Sequence, residues 1–257
     1  MEKIIHKPLE KGKNVPALVT TPFTIDPTRR EVALSQFIYV PQKKVYITKI
    51  PFKFERLRLN WEDSHYFLAD LGFFMPDIAT FMTHYINVRN ASLDTKTLYY
   101  ADGKDVKVSE AYSIWQGLNS YSKHGSSCVT WLDNIWSIKE SLEYSQEKEI
   151  IMSSQHFVRR GKSGLELRGK ERTITMPKNE NYNSSVRLPL SDEGMPLEWV
   201  TRENCALGVS LYFKMPQMGR VTQYSSGQDE CMIDCTADKG RGPTMLYACA
   251  HSTLSLK

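Results

Sequence analysis

The sequence predicts an α+β fold. Helical patterns cluster before residue 125, and short strand-like runs dominate after it. The two do not alternate in the βαβ manner that builds parallel sheets. The chain has 257 residues, 41% hydrophobic and 24% charged, which suits one large domain or two small ones with a core that needs no staples.

Each element follows from local pattern. Residues 1–33 are rich in Pro, Lys and Thr and read as an extended arm. Residues 34–40 and 44–50 flank Pro41-Gln42-Lys43 and read as a hairpin. Phe52-Lys53-Phe54 continues the alternation, and Leu57 and Leu59 change its phase, so a bulge or break is expected there. Asn60 caps a short helix with Asp63 in its first turn and Gly72 past its end. Asp77 caps a second helix whose Ile78, Phe81, Met82, Tyr85 and Ile86 form one apolar stripe. Leu98–Lys104 reads as a strand ending in an Asp-Gly turn. Ser109 caps a third helix with Ala111, Ile114, Trp115 and Leu118 on one face.

Beyond Gly125 the pattern is β-like. Runs at 128–132, 150–158, 164–168 and 171–176 are followed by a Pro-, Asn- and Ser-rich loop at 177–195. Short strands are expected at 197–200, 207–213, 219–224, 230–236 and 245–251. Residues 1–60 thus form an arm and hairpin packed on a main domain of residues 61–257.

Charge and composition exclude several classes. Net charge is +4, with a basic excess in the first 60 residues that reads as a solubilising surface. No aromatic-basic motif of the RNA-binding type occurs, so no nucleic acid is expected as partner. Mean hydropathy is −0.42, and no apolar run approaches the roughly 18 residues of a membrane span. No apolar stretch follows the N-terminal charges, so no signal peptide is evident; the location is open, cytoplasmic by default, with export or surface display by an unrecognised route as the alternative.

Residue types and their spacing offer few sites of chemistry. Cys231-x3-Cys235-x13-Cys249-x-His251 offers a zinc-like ligand set, but its spacing departs from known sites. Strand parity puts Cys231, Ile233 and Cys235 on one face as small core residues. No metal and no cofactor is expected. Cys128, with His124 or His156, lacks a cysteine-protease signature, and neither Ser126-Ser127 nor Ser225-Ser226 sits in a nucleophile elbow. No phosphate-binding loop or His-Glu-x-x-His motif occurs. The expected class is therefore non-enzymatic. Trp115, Trp131 and Trp136 read as core.

The C-terminal 40 residues combine small polar residues with an apolar skeleton of Val221, Ile233, Cys235, Leu246, Ala248 and Ala250, the composition of a recognition surface. Val221-Thr222-Gln223-Tyr224, Ile233-Asp234-Cys235 and Leu246-Tyr247-Ala248-Cys249-Ala250 resemble the variable region of archaeal diversity-generating retroelement proteins. Cys128-Val129-Thr130-Trp131-Leu132-Asp133 and Leu211-Tyr212-Phe213-Lys214-Met215-Pro216 are similar to elements upstream of that region. The chain departs from the family's Leu-Gly-Val-Arg ending at Leu246–Cys249 and from its Pro-x-x-Ser turn at residues 238–243.

The resemblance implies a C-type lectin fold, with helices at 77–91 and 109–118 flanking a twisted antiparallel sheet. It implies a ligand-binding region at about 219–251, rewritten at adenines through a reverse transcriptase. The implied variable, ligand-contacting positions are Ser225, Gly227, Asp229, Asp234, Thr236, Asp238, Arg241, Thr244, Tyr247, Cys249 and His251. Glu230 and Met232 join the same surface as fixed or otherwise-encoded positions. Tyr247, Arg241 and His251 are the expected anchors. No calcium site is expected. The partner is a variable protein or surface ligand, and a monomer is favoured. The alternative is a phage or virus-like structural or tail surface protein. A thiol-dependent hydrolase using Cys128 or Cys249 is a third reading.

Overall fold

The computed structural model describes residues 34–53, 59–119, 129–138, 147–161, 164–177, 186–191, 194–196, 205–214, 220–226, 231–237 and 245–252. The expected arm at 1–33 lies outside them. So do Cys128, the expected strand at 197–200, and the loop positions Gly227, Asp229, Glu230, Asp238, Arg241 and Thr244. The described residues form mixed helix and sheet, the α+β class.

The first two helices begin where their caps place them. α1 is Trp61–Asp70, and the Asn60 side chain accepts the Asp63 amide at 2.7 Å. Gly72, just past its end, adopts φ +82°, the left-handed conformation glycine tolerates best. α2 is Ile78–Ser92, with Asp77 accepting the Thr80 amide at 2.7 Å. Its expected apolar stripe is buried, and so are Thr80, Thr83, His84, Asn87 and Val88, because other elements surround most of the helix. α3 is Val108–Asn119, so Ser109 lies inside its first turn rather than at the cap.

Two sheets each combine early and late strands of the described residues. β1 (Phe37–Val40) and β2 (Val45–Thr48) form the expected hairpin, and Lys44 takes φ 53° in its turn. β12 (Cys249–His251) pairs antiparallel with β2. The larger sheet contains β3 (Phe52–Lys53), β4 (Val129–Ile138), β5 (Glu147–Gly161), β6 (Gly164–Pro177) and β7 (Val186–Ser191). It continues with β8 (Cys205–Lys214), β9 (Val221–Ser226), β10 (Cys231–Ala237) and β11 (Met245–Leu246). The strand order is β3-β11-β4-β9-β10-β8-β7, and β5 pairs with both β4 and β6. Most ladders are antiparallel. β8–β10 and β4–β11 are parallel, which the sequence pattern did not indicate.

The middle of the larger sheet, around β4, β9 and β11, is covered on both faces. On one, Leu132, Tyr224, Ile233 and Tyr247 join α2, α3 and the β1–β2 hairpin in a single apolar cluster. On the other, Trp131, Val221, Leu246 and Ala248 pack with Phe52 and with Trp61 and Leu68 of α1. Trp131 and Trp136 are core as expected, and Trp115 is half-buried against α2 at Tyr85.

Four local expectations change. Leu98–Lys104 makes only isolated bridges, because the chain doubles back over Asp102-Gly103, where the Asp102 side chain accepts the Lys104 amide. The expected loop at 177–195 contains β7. The expected strands 164–168 and 171–176 are one strand, β6, running through Gly169. The expected strand 245–251 is two, β11 and β12, because the chain crosses from one sheet to the other at Tyr247-Ala248.

That crossing corrects the site as well. Tyr247 is 2% exposed and Cys249 fully buried, so neither is displayed. Parity placed both opposite the apolar skeleton, but both faces of this segment are covered by protein, as in a buried strand. Tyr247 packs on Phe81 of α2, and burial pushes the Cys249 thiol well above its ordinary range, helped by the nearby Asp77 and Asp133. Cys249 is thus neither a contact residue nor a reactive thiol. Cys235 is buried too, as expected of a core position.

Candidate functional site

The predicted C-terminal positions fall into three groups. Met232 and Asp234 are half-buried on β10, and Ser225 and Thr236 occupy β9 and β10. Tyr247 and Cys249 are core. His251 is exposed at the end of β12, where its ring lies 4.7 Å from that of Phe74. His251 and Phe74 line a cleft of about 620 Å³, together with Lys43, Asp77, Lys170 and two further histidines, His65 and His156.

Those two histidines belong to a polar group that sequence reasoning missed. α1 places Trp61, Ser64, His65 and Leu68 on its buried face, at i, i+3, i+4 and i+7. In β5, Ile150, Met152, Ser154, His156 and Val158 are buried at alternate positions, but His156 shares its sheet face with Ser153 and Gly169 rather than with Ile150 and Met152. A histidine on each apolar stripe was the available signal. Asp133 gave none, because β4 is buried on both faces around it.

Irregularities in both strands converge at this point. Between Leu132 and Ile135, β4 carries two residues that β9 does not match, Asp133 and Asn134. Between Ser154 and Phe157, β5 carries Gln155 and His156 against the single Gly169 of β6, the two-against-one count of a β-bulge. Gln155 sits at φ 54°, a conformation that costs a side-chain-bearing residue about 1 kcal/mol or more. The bulge takes the His156 amide out of the ladder, and Asp133 Oδ2 accepts it at 2.6 Å.

Asp133 is the centre of the group. Its Oδ1 accepts from His156 Nδ1 at 2.5 Å and lies 3.4 Å from His65 Nε2. Its own amide donates to the Pro76 carbonyl, and Asn134 Oδ1 accepts the first amide of α2, so the β4 irregularity is anchored on the start of that helix. Burial alone would raise the Asp133 carboxyl. The imidazoles of His65 and His156 outweigh it and hold the group down at about 2. Asp77, which faces Asp133 without such a partner, is instead raised by burial.

The rings are fixed by packing. Trp61 stands edge-on to His65 at 4.3 Å and to His156 at 5.2 Å, and its indole N–H donates to the Leu132 carbonyl. Ser153 Oγ lies 3.1 Å from His156 Nε2. A Cβ on Gly169 would fall 2.5 Å from that same nitrogen, so only glycine leaves room for this ring. His65 Nε2 is buried with no hydrogen-bond partner of good geometry, and the Asp133 Oδ1 at 3.4 Å is its polar neighbour.

Chemically, the arrangement offers two imidazole nitrogens and one carboxylate oxygen, all within 4.8 Å of one another. They are the group among the described residues able to hold a metal ion. Comparison of the chain with protein-family models, with curated proteins and with solved structures finds no match in any of the three.

Proposed function

We propose that this chain is a non-enzymatic ligand-binding protein with a C-type lectin-like fold, whose recognition surface is diversified through a retroelement. The observation that supports the reading best is the layout of β9 and β10. Val221, Thr222, Tyr224, Ser226, Ile233 and Cys235 are fully buried, while Gln223 of β9 and Met232 and Asp234 of β10 are half-buried. A rigid sheet with a few accessible positions set among buried ones holds a fold constant while its contacts change. The reading is also supported by α2 and α3 packing together on one face of the sheet and by β12 pairing with the N-terminal hairpin.

The display set is narrower than the sequence suggested. Tyr247 and Cys249 leave it, and His251 is its aromatic member beside the cleft. Sequencing sibling genes from one population tests the proposal. Substitutions concentrated at Ser225, Asp234, Thr236, Arg241 and His251 are expected, with Tyr224, Ile233, Cys235, Tyr247 and Cys249 constant. Variation spread evenly along the chain, or a locus without a reverse transcriptase and an adenine-rich template repeat, overturns it.

A further inference from the structure

We propose that His65 Nε2, Asp133 Oδ1 and His156 Nδ1 bind one divalent transition-metal ion of the zinc type. This goes beyond the ligand-display reading and does not rest on it.

The donor chemistry selects the metal. Two imidazoles and a carboxylate suit zinc, cobalt and their neighbours, whereas calcium and magnesium take sets made of oxygen alone. The geometry is close to what is needed. Donors at metal distances of about 2.0–2.1 Å around a tetrahedral ion stand roughly 3.4 Å apart. His65 Nε2 and Asp133 Oδ1 are already 3.4 Å apart. His156 Nδ1, at 2.5 Å, has to withdraw by under about 1 Å.

Two independent observations point to a ligand. His65 Nε2 is a buried donor-acceptor atom with no hydrogen-bond partner, beside a carboxylate oxygen. His65 and His156 also line the cleft, which supplies an entry path. The surroundings are those of a ligand-orienting shell. Ser153 meets the second nitrogen of His156, and the amide of that residue meets the second oxygen of Asp133. A serine hydroxyl both donates and accepts. It therefore serves His156 whether Nδ1 carries the proton toward Asp133 or binds a metal with the proton moved to Nε2.

Titration with Co²⁺ tests the site on the full chain. Visible absorption bands saturating at one ion per chain, with no intense sulfur charge-transfer band, are expected, and Zn²⁺ should displace them. His65→Gln should weaken binding by at least 100-fold, and Ser153→Ala by about 10-fold or more. Nitrogen NMR of the wild-type imidazoles gives a readout that needs no variant to fold. Zn²⁺ should shift His65 Nε2 and His156 Nδ1 and leave His84 unmoved. Lack of a stoichiometric cobalt spectrum overturns the proposal. So does unchanged binding in folded His65→Gln, or a shift confined to other histidines.

Discussion

His84 and the His65–Asp133–His156 group are both buried inside the same fold, yet their surroundings differ. His84 lies on α2, is fully buried, and neither ring nitrogen has a hydrogen-bond partner. Burial lowers its pKa to about 3, which keeps the ring neutral. The other two imidazoles face a carboxylate that two strand irregularities and a helix start hold in place. One histidine is tolerated as an uncharged polar filler, whereas the other two are part of a charged network. Burial alone therefore says little about a polar residue, and what shares its space decides its role.

The largest test breaks the network at its centre. Asp133→Ala removes the acceptor of the His156 ring and amide and should cost about 3–5 kcal/mol, read by urea denaturation. Asp133 also gives an acid signature. Its carboxyl is depressed from 3.8 to about 2, so it stabilises above pH 4 and that contribution disappears as pH falls through 2.

His84 acts in a higher window. Its folded-state value lies below 6.5, so the unfolded chain takes up the proton first and stability falls as pH drops from 6.5 toward 3. The loss should be roughly 2–3 kcal/mol between pH 6 and 4, at about 1.4 kcal/mol per pH unit. His84→Phe should remove that slope while leaving stability at pH 7 unchanged or raised, since an apolar ring leaves no unpaired nitrogen. A slope that persists in His84→Phe assigns it elsewhere.

Gly169→Ala forces its new methyl against the pinned His156 ring and should cost about 1–3 kcal/mol. The same change should add nothing further in the Asp133→Ala background, where the ring is free to move. Ser153→Ala, the mildest change, should cost about 0.5–1.5 kcal/mol for one hydrogen bond.

What the sequence showed and what it hid divide along the same physical line. Asn60 and Asp77 mark helix starts because a cap acts within three residues. The hairpin at 37–48 is equally local. The irregularities at Asp133-Asn134 and Gln155-His156 arise between strands distant in the chain, and no local pattern encodes them. Tyr247 and Cys249 were misplaced for a related reason. Alternation separates two faces, but it does not say that both are covered. His65 and His156 were legible as polar residues on apolar stripes, and their meeting at Asp133 was not.

The crossing at Tyr247-Ala248 also sets an order of events during synthesis. β11 lies between β3 and β4, and β12 completes the sheet begun by β1 and β2. Neither β2 nor β3 can finish its hydrogen-bond ladder until residues 245–251 have left the ribosome, some 200 residues later. Until then those strands expose open edges, a risk for mispairing with neighbouring chains. The last few strand residues thus act as a latch, and chains cut short of residue 245 should mark themselves for chaperones and proteases.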